Sequence, residues 1–147
     1  MTPALPLDTK DPVATRLGAL ALLPFVLGAV LLWFVRADAH PHVAAALSAY
    51  AAIVIAFLGG IHWGFGFVAT VPAPRRFVWG VVPALVAWVA VLMPPSAGLV
   101  IHGLMLAACY LVDRKVYPDY GAARWLMLRF RLSVGASLSC LLGAAGS

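Results

Sequence analysis

Apolar residues occupy this chain in five long blocks, covering about residues 17–35, 43–70, 77–93, 97–113 and 125–143. Each comes close to or exceeds the roughly 20 residues a helix needs to cross a hydrocarbon core of about 30 Å. Short polar or proline-bearing stretches separate them. Val71-Pro72-Ala73-Pro74-Arg75-Arg76 and Pro94-Pro95-Ser96 are strong helix breakers, and a polar run from Asp113 to Arg124 divides the last two blocks. The pattern predicts an all-α fold, an integral membrane bundle of five transmembrane helices in one domain, 16–147. A polar tail at 1–15, carrying Asp8, Lys10 and Asp11, precedes it. The second block is long enough to tilt or to extend beyond the bilayer. Pro24 and Pro83 fall inside blocks one and three, where neighbouring helices can satisfy the carbonyls they free.

Composition supports the same solvent. Hydrophobic residues make up 64% of the 147 and charged residues 10%, against roughly 25% charged in a soluble domain. A water-soluble fold of this length could not bury that much apolar surface. The net charge of +5 does not point to nucleic acid, because the basic residues sit at the ends of apolar blocks, where they act as a topology signal. Cys109 and Cys140 lie within apolar blocks without metal-ligand spacing and read as small core residues.

With five crossings, Lys10, Arg16, Arg75, Arg76, Arg114, Lys115, Arg124, Arg129 and Arg131 share one side, and only Arg36 lies on the other. Positive residues stay inside, so the N-terminus is expected in the cytoplasm and the C-terminus in the periplasm. Ala37-Asp38-Ala39 resembles a leader-peptidase site, but the apolar run before it is longer than a leader needs and lacks a basic cluster in front. Retention of the first span is the preferred reading.

Candidate chemistry concentrates in the second span. At i+4 spacing Ala52, Ala56, Gly60 and Gly64 form a small-residue stripe suited to close helix packing. Ile55, Gly59, His62 and Gly66 lie on another face. His62 sits about 12 Å deep by helical rise. Such a buried ring is either a neutral imidazole bonded to a neighbouring span or a contact for a ligand or a proton. Gly59, Gly60, His62, Trp63 and Gly66, with Trp88 on the third span, are therefore the candidate ligand-binding set, with haem or quinone as the cofactors to consider. Gly59 and Gly66 could equally admit a neighbouring helix. His102 lies near the opposite face, roughly 10 Å from His62 along the membrane normal, too far for one metal between the two rings. His40 and His42 belong to the outer loop, Trp33, Trp79 and Trp125 to the interfaces. At the cytoplasmic rim Asp113 is expected near Arg114, Arg129 and Arg131. A pair between Asp113 and Arg129 would clasp spans four and five, or the cluster could position an anionic lipid headgroup.

No catalytic residues and no metal site emerge: H-E-x-x-H, G-x-S-x-G and phosphate-loop patterns are missing from the sequence. The Phe57-Leu58-Gly59-Gly60-Ile61-His62-Trp63-Gly64 string resembles the signature of the domain of unknown function 3429 family, the transmembrane protein 69-like small multi-span membrane proteins of bacteria and mitochondria. Leu23-Pro24-Phe25, Pro83 with Trp88, Asp113-Arg114 and Leu128-Arg129-Phe130-Arg131-Leu132-Ser133 extend the likeness over nearly the whole chain. Ala56 and Ser133 stand where the family pattern has Ser and Thr. The resemblance implies a multi-pass protein of the bacterial inner membrane, of activity not established. The expected function is that of a structural, assembly or interaction component of a membrane complex, its partners the bilayer and other membrane subunits. The alternative is a binding module for a lipophilic ligand (quinone, porphyrin or isoprenoid) at His62 and Trp63. An enzyme is the least expected.

Overall fold

The computed structural model describes residues 11–147, which form helices and short turns without a strand among them. Five helical spans are long and apolar enough to cross a membrane. The tail expected at 1–15 falls mostly outside the described residues. Its end is helical, because the Asp11 side chain accepts the Val13 N–H at 2.8 Å and Pro12 takes the first helical position, where its missing N–H costs nothing.

The first span is two helices, α1 (Pro12–Ala21) and α2 (Leu23–Phe34). Pro24 breaks the ladder, as an interior proline must. The Ala21 carbonyl beside the break instead accepts the Tyr50 hydroxyl at 2.8 Å, and Tyr50 meets Phe25 edge to face at 5.1 Å. The second span, α3 (His40–Val68), is the longest helix. Then follow α4 (Pro74–Val91), with Pro83 buried inside it, and α5 (Pro95–Val116), each opening on a proline. Two 3-10 turns, Tyr117–Tyr120 and Ala123–Trp125, lead into α6 (Leu126–Gly146). Gly121 between them takes a φ of 69°, a left-handed conformation that a side chain disfavours.

α3 packs most extensively on α4, and α5 on α6, while α3 also contacts α5 and α2. Leu32, Ala51, Ile55, Leu99, Leu106 and Cys140 are buried at its centre. The tightest approach is between α3 and α4. A Cβ on Gly59 would collide with the Gly80 carbonyl, and one on Gly80 would collide with the Trp63 ring. The backbones touch there because neither residue has a side chain.

The Ala52–Gly64 stripe lies elsewhere. Nothing approaches within 4 Å of a Cβ placed on Gly60 or Gly64, and Ala56 is exposed. Within one chain, then, the close packing expected along Ala52, Ala56, Gly60 and Gly64 occurs only at Ala52, which is partly buried against the core. The buried face is the Ile55, Gly59 and His62 side, because that is where α4 and α5 lie.

Candidate functional site: a buried His–Asp–Arg cluster

An isolated charge in hydrocarbon is costly, so buried ionisable side chains should find one another. At the end of the bundle where α3 and α5 finish and α6 begins, three of them do. His62 Nε2 lies 2.8 Å from Asp113 Oδ1, and Arg129 Nε donates to Asp113 Oδ2 at 2.9 Å, joined on the same oxygen by its Nη2. Both His62 and Asp113 are 1% exposed. A carboxylate paired with a guanidinium only accepts, so Nε2 carries the imidazole hydrogen. His62 Nδ1 is buried and without a partner. Tyr117, one turn beyond Asp113, is buried beside them.

Aromatic rings wall the cluster. Phe65 and Trp79 present edges to the imidazole at 6.0 and 6.4 Å. Phe65 stacks on Tyr120 at 4.7 Å and meets Tyr117 at 5.2 Å, so the 3-10 turn after α5 folds back over the end of α3. Arg76 adds a cation over the Tyr120 ring and a 3.9 Å pair with exposed Asp119. The arrangement fastens α3, α5 and α6 at one level and keeps water from the imidazole.

The structure separates the other candidate residues. Gly59 and Gly66 do not leave an open slot beside His62: the Gly80 backbone fills the first, and the Phe77 ring would lie 2.6 Å from a Cβ on the second. Trp63 is 39% exposed, with its Nε1–H donating to the Phe77 carbonyl at 3.0 Å. Trp88 is 62% exposed on α4, on the bundle's outer surface with Gly60. Of the cationic rim, Arg129 enters the cluster whereas Arg114 and Arg131 are exposed. His102 forms a separate link. Its Nε2–H donates to the Ala87 carbonyl at 3.2 Å, which leaves Nδ1 to accept the Ser48 hydroxyl at 3.4 Å. That link joins α3, α4 and α5.

Sequence reasoning set Asp113 beside Arg129 but did not bring His62 to them, nor Tyr117. The available signal was the i, i+4 spacing of Asp113 and Tyr117 on a helix that continues beyond the apolar block.

Five apolar spans knit by a buried ion pair and two buried imidazoles define a multi-pass integral membrane protein. The chain matches, over residues 11–145, the family described as protein of unknown function (DUF3429), and it belongs to that family. It is similar to Transmembrane protein 69 of Xenopus tropicalis, 40% identical over 120 residues that cover 77% of this chain and 46% of the relative. The chain thus spans about half the length of the curated relative it matches. No solved structure matches it.

Proposed function

We propose that this protein is a non-enzymatic interaction component of a membrane complex, which offers the bare Ala56–Gly64 face of α3 to a transmembrane helix of another subunit. The observation that carries this reading is the open space at Gly60 and Gly64. Small residues four apart let helices approach closely in lipid, and here no helix of the same chain uses them. Nine of the ten Lys and Arg residues fall on one side by sequence, and of the described cations only Arg36 lies at the opposite end of the bundle. For a protein of the bacterial inner membrane, that asymmetry supports an orientation with the N-terminus in the cytoplasm and the C-terminus in the periplasm. Exposed Arg114 and Arg131 would then face anionic headgroups of the inner leaflet.

The test is substitution of Gly60→Leu and Gly64→Leu together. Neither leucine meets an atom of its own chain at Cβ, so the folded bundle should tolerate both. The wild type, solubilised in mild detergent, is expected to run and co-purify as a larger complex, and the double variant as a lone chain. If wild type and variant behave identically, the reading fails.

A second reading, contact with a lipophilic ligand at His62, draws on the unpartnered Nδ1. Against it stands the filling of the flanks at Gly59 and Gly66 by α4. Purified protein lacking any co-extracted quinone or porphyrin by absorbance and mass spectrometry would dismiss it.

A further inference from the structure

A slot opens on the side of α3 away from α4, beside α1. α1 buries no residue of its own; it packs on α2 and α6, and meets α3 at the hydrogen bond from Tyr50 to Ala21. Between α1 and α3 is a slot of about 560 Å³, floored by α5 and α6, within the range of about 300–1,000 Å³ common for small-molecule sites. Along α3 its lining runs from Tyr50 to Ile61, a length of about 16 Å at helical rise. That is about half of a 30 Å hydrocarbon core, the depth of one leaflet. Leu17 and Phe57, both lining the slot from facing helices, are exposed, so the mouth opens sideways where lipid would be.

The walls are hydrocarbon apart from a few polar groups. The Tyr50 hydroxyl is committed to Ala21, and Arg129 to Asp113. Ser133 is not committed: it lines the slot, is 4% exposed, and its Oγ has no hydrogen-bond partner. A buried hydroxyl without a partner is unfavourable, and in lipid no water is at hand to relieve it. Because Asp113 already matches the Arg129 charge, a carboxylate or phosphate in the slot would bring an uncompensated charge into a low-dielectric site.

We propose that the slot binds a neutral lipophile with one hydrogen-bonding oxygen, a carbonyl or hydroxyl, on a hydrocarbon body. Its oxygen meets Ser133 Oγ and its body lies between α1 and α3, having entered from the bilayer. None of Ala52, Ala56, Gly60 and Gly64 lines this slot, but Phe57 at its mouth lies one turn from Gly60, so the labelling is measured on the chain alone, without a partner helix.

The experiment uses the full chain in phosphatidylcholine nanodiscs and a diazirine analogue of 1-hexadecanol. Saturable photolabelling of the α1 and α3 peptides that carry Leu17 and Phe57 is expected. Unlabelled 1-hexadecanol and 2-hexadecanone should compete, whereas n-hexadecane and palmitate should compete poorly. Ser133→Ala should weaken competition by the alcohol about 3- to 10-fold, the loss of one hydrogen bond, without lowering thermal stability. Ala21→Phe, placed at an exposed residue of the lining, should block labelling. Non-saturable labelling, or equal competition by hexadecane or palmitate, would overturn the proposal. So would unchanged competition in Ser133→Ala. The alcohol-against-alkane comparison in wild type decides the matter even if that variant fails to fold.

Discussion

His62 and Asp113, separated by 51 positions in the chain, meet through a 2.8 Å contact buried away from the surface. Arg129 completes the set from a third helix. Opposite unit charges cancel between Asp113 and Arg129, so the imidazole adds a hydrogen bond to a cluster that is already neutral. Removal of any member should therefore have unequal effects.

Asp113→Asn leaves the Arg129 guanidinium buried without its counter-charge. Breaking a buried pair by deleting one partner costs about 3–5 kcal/mol. Thermal unfolding in detergent should show this, and Asp113→Asn combined with Arg129→Gln should recover part of the loss. A double variant no more stable than Asp113→Asn would mean that the charge left behind is not the cause.

For His62 the contrast is between shapes. His62→Gln keeps an N–H that can reach Asp113 Oδ1, whereas His62→Ala removes the donor and opens a hole. Hydrogen bonds to charged groups contribute about 1.5–3 kcal/mol, so the alanine variant should unfold well before the glutamine variant. Equal losses would argue that the ring's bulk, not its bond to Asp113, is what matters.

Two neighbouring glycines should respond oppositely to one methyl group. Gly59→Ala forces α3 away from the Gly80 backbone, an overpacking defect of about 1–3 kcal/mol. Gly60→Ala meets nothing and should be neutral or slightly stabilising, since alanine favours helix by about 1 kcal/mol over glycine. Melting curves of the two single variants, measured side by side, check this.

Tyr50→Phe deletes only the hydroxyl that ties α3 to the Ala21 carbonyl. About 0.5–1.5 kcal/mol is at stake, and it should appear locally. Amide exchange in α1 should accelerate while that of α5 and α6 stays as in wild type.

The number and order of the spans were legible in the sequence because lipid demands it: about 20 apolar residues per crossing, with breakers between, leaves few alternatives. The likeness around Gly59 to Gly64 pointed to the family that the comparison then showed. The meeting of His62 with Asp113 was hidden for a physical reason. Hydropathy ends the fourth span at Asp113 and places that residue at the rim, but α5 continues through Val116, which draws the carboxylate inward. α3 meanwhile stops at Val68, before the end of its apolar block, which leaves His62 nearer the surface. Each shift is a few residues, and together they put the two side chains at one level. The faces of α3 were legible as faces, through i+4 spacing. Which of them α4 covers depends on the contact at Gly80, a residue of another span that periodicity within α3 cannot register. The slot beside Ser133 was equally hidden, since its walls come from α1, α3, α5 and α6 and meet only in the folded bundle.

The place of α1 in the bundle has a mechanical meaning. The two buried polar links, at Asp113 and at His102, run through α3 and α5 and reach α4 and α6, but neither includes α1. Dislodging α1 leaves all of those links intact. Under heat, protease or pulling force the bundle should shed this outer strut first, while α3 to α6 behave as one latched frame.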